Sequence, residues 1–581
     1  MCHRLQTAAR HDIGETGRST SRNFNVARNA YRLIKRSAIA WKVPLSVFSY
    51  TCDDGSILDI HYLHPKHLLS YLLENQPIVL FGTADTDKAQ QSLLAWWKGF
   101  AQYHPTHAAF SLGEPLDTLL PFALYGDEGR GKRRAQTTVF SIESVIGIKG
   151  HSSNCDDCHP LGFWNAPYGE DGYQHPFVQC LRRNMKGHSF LQHFPLFVLP
   201  GTMAKDYKGL TCELITFLAS ELKTLFHSGI HVRGVTYRVV IVGSKGDLKW
   251  ISKIARLTRG FEHMGRIQDA NSCHQCLAGQ EGLPAEDFAT IPCWAETIHV
   301  ERPWSNDELP CLYQVPFDDE RPEWIYKNDG LHTLRLGVYR DFSASCIFLF
   351  MKWKYFGSGD MRVLLVNAHS MFTLWCKTVK LTPALRSFSL ALFNYENAGS
   401  FVWSNTKGSD TLLLCKWIAT ITAGFMLVET DGEKKHVLSV ILSASRLSAK
   451  WFEMIYSHGS FLNRECAAML YETGQAFLQG FTWLADFCMT HQMCLFAIKP
   501  KCHFQKHTLY EIYLQLERGC TAIMSPAVWD CSQNEDVIGK VCRVARKIDT
   551  RVISQRSLEF FLIKAAVLLR RHMSEHQDLD T

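Results

Sequence analysis

The chain has 581 residues, 46% hydrophobic and 20% charged, a balance that excludes disordered and collagenous classes and supplies material for several cores. Sixty-two Lys and Arg against 56 Asp and Glu leave a net charge of +6, so a role in polyanion binding has to be read from where the charges cluster. Twenty cysteines over this length fall short of a disulfide scaffold and read as reduced thiols of an intracellular protein.

Residues 1–30 are polar and rich in Arg, Ser, Thr and Asn; they read as a disordered tail with no apolar core of a secretory signal. From 31 to 115, short apolar runs alternate with turn signals, which predicts a mixed α/β region. Pro121–Tyr125 and Thr137–Ile142 read as neighbouring strands joined by the polar connector EGRGKRRAQ. Cys212–His227 places Leu214, Leu218, Leu222 and Leu225 on one helical face, and Gly229 stops it. Tyr237–Val242 is apolar on both faces and so predicts an interior strand beside Pro121–Tyr125, with Asp247 opening a helix after it. Strand, helix, buried strand and helix over 116–330 indicate an α/β core.

From 331 to 490 long amphipathic stretches predict an all-helical block inserted in that core. Met493–Ile498 then reads as a strand rejoining the sheet, and 491–575 as the rest of the core, ending in basic helices. The apolar stretches Leu412–Leu427 and Phe560–Leu569 are interrupted by Lys416 and Lys564, so no membrane span is expected.

Asp127 and Asp247 each stand just past an apolar strand, where open α/β sheets carry their functional groups. Carboxylates gathered there can hold a pair of Mg²⁺ ions for phosphodiester chemistry; the plain alternative is a Gly-Asp turn. A third carboxylate is expected after the helical block: Glu535, its neighbour Asp536, or Glu511 on the helix HFQKHTLYEIYLQL. The acidic pair also suits a helix start, where the dipole favours negative charge.

The segments LYGDEGRG, VGSKGDLKWISKIARLTRGF with SCHQCLAG, NDGLHTLRLGV, and PKCHFQKHTLY leading to NEDVIGK span roughly 120–560. Together they resemble DDE/D transposases with large helical insertions, the Kyakuja-Dileera-Zisupton or plavaka-like group, and similar element-derived proteins of dinoflagellates. The resemblance implies a ribonuclease-H-like mixed sheet interrupted by the helical insertion. It also implies Asp127, Asp247 and Glu535 as catalytic ligands of Mg²⁺ or Mn²⁺, DNA as partner, self-association, and a nuclear location. The group usually has Gly before its third acid; here Asn534 precedes Glu535.

Cys155-x-x-Cys158 and Cys273-x-x-Cys276 have knuckle spacing, and their four thiolates would complete a structural zinc site; unligated thiols are the alternative. His503, His507 and Glu511 share a helix face, expected to meet solvent, DNA or the acidic site; Phe504 after the first histidine excludes the HExxH protease motif. Residues 538–571 carry nine Lys and Arg against two acids. Lys540, Arg543 and Lys547 on one face after Glu535, and Lys132, Arg133 and Arg134 beside Asp127, are the expected phosphate contacts. Two function classes follow: a transposase-like nuclease, or a non-enzymatic element-derived scaffold that binds DNA or protein.

Overall fold

The computed structural model describes residues 40–131, 135–148, 189–207, 209–261 and 272–577. Lys132, Arg133, Arg134, Cys155 and Cys158 lie outside them. The sheet is built from β1 (Ser46–Thr51), β2 (Ile57–Tyr62), β3 (Leu119–Arg130), β4 (Gln136–Ser144), β5 (His193–Pro200), β6 (Ile230–Val232) and β7 (Val235–Lys245). Its strand order is β1-β2-β5-β4-β3-β7-β6. β3, β4 and β5 form an antiparallel meander, and β7 joins β3 in parallel after the crossover helix Leu210–Ser228. β1 and β2, which fall in the mixed α/β region expected over 31–115, extend this same sheet through β5.

Tyr237–Val242 lies inside β7 between β3 and the short β6, with Val239, Val240, Ile241 and Val242 all buried. All eight residues of β5 are buried, because the C-terminal helix Ile553–Gln577 packs on that strand. Strands apolar on both faces need cover on both sides, and this architecture supplies it.

A second core belongs to the helical block. The helix Tyr339–Lys352 is buried on nearly every face, so it forms the centre of a bundle with Met361–Thr378, Gly408–Val428, Gly432–Ser457, Arg464–Thr490 and Pro500–Glu517 around it. Gly408–Val428 is the one described helix long and apolar enough to cross a bilayer by length and composition. Its Leu414, Cys415, Trp417 and Ile418 are buried in the bundle core.

The strand expected at Met493–Ile498 does not form. Phe496 instead turns into the left-handed region, at φ 52°. Its ring packs on Phe342 and Phe481, and its N–H donates to Ser345 Oγ at 2.9 Å. The apolar run therefore finds its burial in the bundle, with a side chain satisfying the amide that a strand would have paired. The chain returns to the sheet later, through the helix Ser532–Ala545, hereafter α1, which packs on β3.

Candidate metal centres

Two glycines place the first two aspartates. A Cβ on Gly126 would lie 2.0 Å from the Trp250 ring, and one on Gly246 would lie 2.5 Å from the same ring and 2.8 Å from the Gly126 carbonyl oxygen. Trp250, on the helix Leu248–Ala255, thus lies flat on two adjacent strand ends, which only glycine permits. The Gly126-Asp127 pair that reads as a turn is in fact mid-strand, since β3 continues to Arg130. Side chains alternate across a strand, so Tyr125, Asp127 and Gly129 face α1, where a Cβ on Gly129 would meet Ile538 and Cys542.

Tyr125 lies opposite Lys245 in the parallel register of β3 and β7. Two residues further on, Asp127 on β3 and Asp247 just past β7 come near enough for the Asp247 charge to act on Asp127. Asp247 Oδ1 accepts from the Trp250 amide at 2.6 Å and caps the next helix; among the described residues Oδ2 takes no hydrogen bond. Glu535, in the first turn of α1, reaches the same place. The Tyr125 hydroxyl lies 2.9 Å from Glu535 Oε1 and 3.3 Å from Asp127 Oδ2. It carries one proton, so it can donate to only one of them at a time. Asp127 Oδ1 accepts from the Glu128 amide at 2.6 Å.

His332 completes this group, and sequence reasoning missed it. Asp127, His332 and Glu535 offer ligand atoms that all lie within 4.8 Å of one another. His332 Nδ1 donates to Asp329 Oδ2, and Nε2 lies 3.8 Å from Glu535 Oε1. A carboxylate behind one ring nitrogen, with the other aimed at the acids, is how metal-binding histidines are oriented. The available signal was Asp329 and His332 three apart at a helix start.

Burial, the adjoining Glu535 and the charge of Asp247 push Asp127 up to about 9. Burial alone would lower His332, but the carboxylates of Asp329, Glu535 and Asp127 raise it to about 9. Crowded acids hold a proton unless a cation replaces it, so without metal the site is proton-loaded at neutral pH. Two carboxylates and an imidazole form a donor set that can take a divalent cation.

Glu511 is elsewhere: its Oε1 accepts from the Trp324 indole at 3.0 Å. Asp536 is turned to Lys540, 2.5 Å away, and to Ser189. Lys540 is therefore engaged within the fold, whereas Arg543 and Lys547 are exposed.

The second centre is buried. Cys273 and Cys276 sit in a closed knuckle, where the Ser272 amide donates to the Ala278 carbonyl at 2.9 Å. The fold brings His503 and His507 to them, not to the solvent, DNA or acidic site expected for that helix face. Sγ of Cys273 lies 3.4 Å from His507 Nε2, and Sγ of Cys276 lies 3.4 Å from His503 Nε2. The two Nε2 atoms are 3.1 Å apart, and His503 Nδ1 meets the Ala285 carbonyl at 2.9 Å, which turns Nε2 inward. All four ligand atoms lie within 4.8 Å of one another.

Burial pushes His507 down to about 4, leaving it neutral and able to ligate. Burial and the adjoining Cys273 push the Cys276 thiol up. Against the cost of burial, Cys276 and the rings of His507 and His503 hold Cys273 well below the usual thiol range. Two sulfurs and two imidazoles, one turn apart on a helix, can hold a metal such as zinc. Spacing alone pairs this knuckle with Cys155 and Cys158, which lie outside the described residues; among the described residues the second pair of donors is histidine.

The chain matches no protein-family model and no curated protein.

Proposed function

We propose that the protein is a divalent-metal-dependent nuclease or strand-transfer enzyme acting on DNA, with Asp127 and Glu535 as metal ligands and Asp247 beside them. One observation carries this reading: Tyr125 lies within hydrogen-bond reach of Asp127 and of Glu535, 410 positions further along the chain, where the parallel pairing of β3 and β7 ends. The antiparallel meander followed by a parallel strand supports a ribonuclease-H-like core, and the helical block between Asp247 and Glu535 agrees with the transposase resemblance. A cation there, Mg²⁺ or Mn²⁺, would polarise a phosphoryl oxygen and activate the attacking water or hydroxyl. Exposed Arg543, further along the helix that carries Glu535, and exposed Lys547 just past its end offer a path for a phosphate backbone.

The buried Cys273–Cys276–His503–His507 cluster is read as a structural zinc centre that clamps the knuckle onto the helix Pro500–Glu517. It is closed by protein ligands, as structural zinc sites are.

A non-enzymatic DNA-binding scaffold is the second reading, favoured by the commitment of Asp247 Oδ1 to a helix cap. Nicking of supercoiled DNA with Mn²⁺ separates the two. The enzyme reading expects nicking by the wild type and none by Asp127→Asn; equal background in both proteins leaves the scaffold.

A further inference from the structure

Beneath the acid site lies a group of ionisable side chains that the proposed chemistry does not use. Glu143 on β4, His193 on β5 and Lys245 on β7 are each 0% exposed. Lys245 Nζ is 2.6 Å from Glu143 Oε1, and His193 Nδ1 is 2.6 Å from Glu143 Oε2. Ala123 stands opposite Glu143 in the register of β3 and β4, so the lysine crosses the sheet over a methyl group. Lys245 also donates to the carbonyls of Val528 and Asp530, at 3.3 Å each.

From this group three contacts run to α1. Asn534 Nδ2 donates to Glu143 Oε2 at 2.7 Å and lies 3.1 Å from His193 Nδ1, and His193 Nε2 meets Gln533 Oε1 at 3.2 Å. Asn534 is 1% exposed and directly precedes Glu535.

A dry ion pair is a poor source of stability, because desolvating the charges cancels much of their attraction. What such a pair does supply is direction: a misaligned partner leaves a buried charge unsatisfied. The start of α1 is already held at its cap, where Asp329 Oδ1 accepts from the Cys531 amide at 2.9 Å and Asp530 Oδ1 from the Ser532 amide at 2.8 Å. Those bonds fix where the helix begins. A side-chain tie one position before Glu535 fixes how the helix is rotated about its axis, and thereby where Glu535 points.

We propose that Glu143, through Asn534, is a positioning residue that sets the rotation of α1 and so holds Glu535 against Asp127. This rests on the reading of Asp127 and Glu535 as metal ligands. It also gives a physical role to asparagine at the position where the resembled group has glycine.

The test uses the full-length protein with Mn²⁺ as probe. Asn534→Ala removes the tie and leaves the Glu143–Lys245–His193 group intact; Glu143→Gln combined with Lys245→Met removes both charges together. For variants whose circular dichroism and Tm match the wild type, hydrogen exchange in the first turn of α1 should accelerate. Mn²⁺ affinity by calorimetry should fall by about 10- to 100-fold, the usual effect of losing a support behind a metal ligand. Saturating Mn²⁺ should restore nicking in Asn534→Ala but not in Asp127→Asn. If the wild type takes up no Mn²⁺ that depends on Asp127, the metal reading falls, and hydrogen exchange alone then decides whether the tie holds the helix. Should the double variant not fold, Asn534→Ala decides. Wild-type exchange and wild-type Mn²⁺ affinity in folded Asn534→Ala overturn the proposal.

Discussion

The two centres invite comparison because each joins residues from distant parts of the chain, yet their chemistry and surroundings are opposite. Cys273, Cys276, His503 and His507 are 0–5% exposed, and their soft and borderline donors can close a tetrahedron with no position left for a substrate. The His332 and Glu535 side chains are 19% and 34% exposed, and with Asp127 they offer three donors, two of them hard oxygens. A closed set stabilises; an open one leaves sites for water and phosphate. Burial and ligand hardness thus separate the proposed fastening from the proposed reaction site, even though in both the ligand atoms lie within 4.8 Å of one another.

This contrast can be broken from either side, and the fastening should give the larger effect on stability. His503→Ala or Cys276→Ser should cost about 4 kcal/mol or more, as losses of structural metal do, with zinc content in native mass spectrometry falling together with Tm. A metal-free wild type with an unchanged Tm would remove zinc from the account. On the reactive side, Asp127→Asn should leave the protein folded but cut Mn²⁺-dependent nicking about 100-fold or more, the equivalent of several kcal/mol of transition-state stabilisation.

Gly126→Ala tests whether the acid site depends on the fit of Trp250. Its Cβ would fall 2.0 Å from the indole, and overpacking of this kind costs about 1–3 kcal/mol. Thermal unfolding should show the loss, and Trp250→Leu in the same chain should relieve part of it.

The pH dependence sharpens the difference further. Asp127 and His332 are both raised to about 9 in the folded, metal-free protein, so the folded state holds more protons than the unfolded one. Their contribution to stability is complete below the unfolded values, near 4 for the acid and near 6.5 for the imidazole. It is lost as pH rises through about 9. Urea titrations should show this decline; Mn²⁺, by replacing the protons, should flatten it, and Asp127→Asn should remove the acid's share. The buried thiol–imidazole centre should respond in the other direction, releasing zinc as acid protonates its ligands. The smallest effect belongs to Glu511→Gln: the amide oxygen can still accept from Trp324, and Mn²⁺ affinity should stay within about twofold, or ~0.4 kcal/mol.

Much of the core was legible because it rests on local pattern. The β-branched, two-faced apolar run at Tyr237–Val242 can be satisfied only inside a sheet, and Leu214, Leu218, Leu222 and Leu225 only by a helix with one buried face. Met493–Ile498 misled because a short apolar run is equally well buried as an irregular segment, and the Phe342–Phe481 packing against Phe496 cannot be seen along the chain. Asp247 was legible as the opening of a helix, and the structure assigns its Oδ1 to that cap.

The types of donor and their local spacing can be read along the chain: CxxC, two histidines one turn apart, Gly-Asp after apolar strands, and an acid at a helix start. Which of them meet follows from tertiary packing. Cys273 and Cys276 find His503 and His507, and Asp127 finds Glu535 and His332, because packing two cores together selects partners by shape and burial across hundreds of residues. Spacing governs contacts within a turn or two of helix; beyond that distance, the energy of the fold as a whole chooses the neighbour.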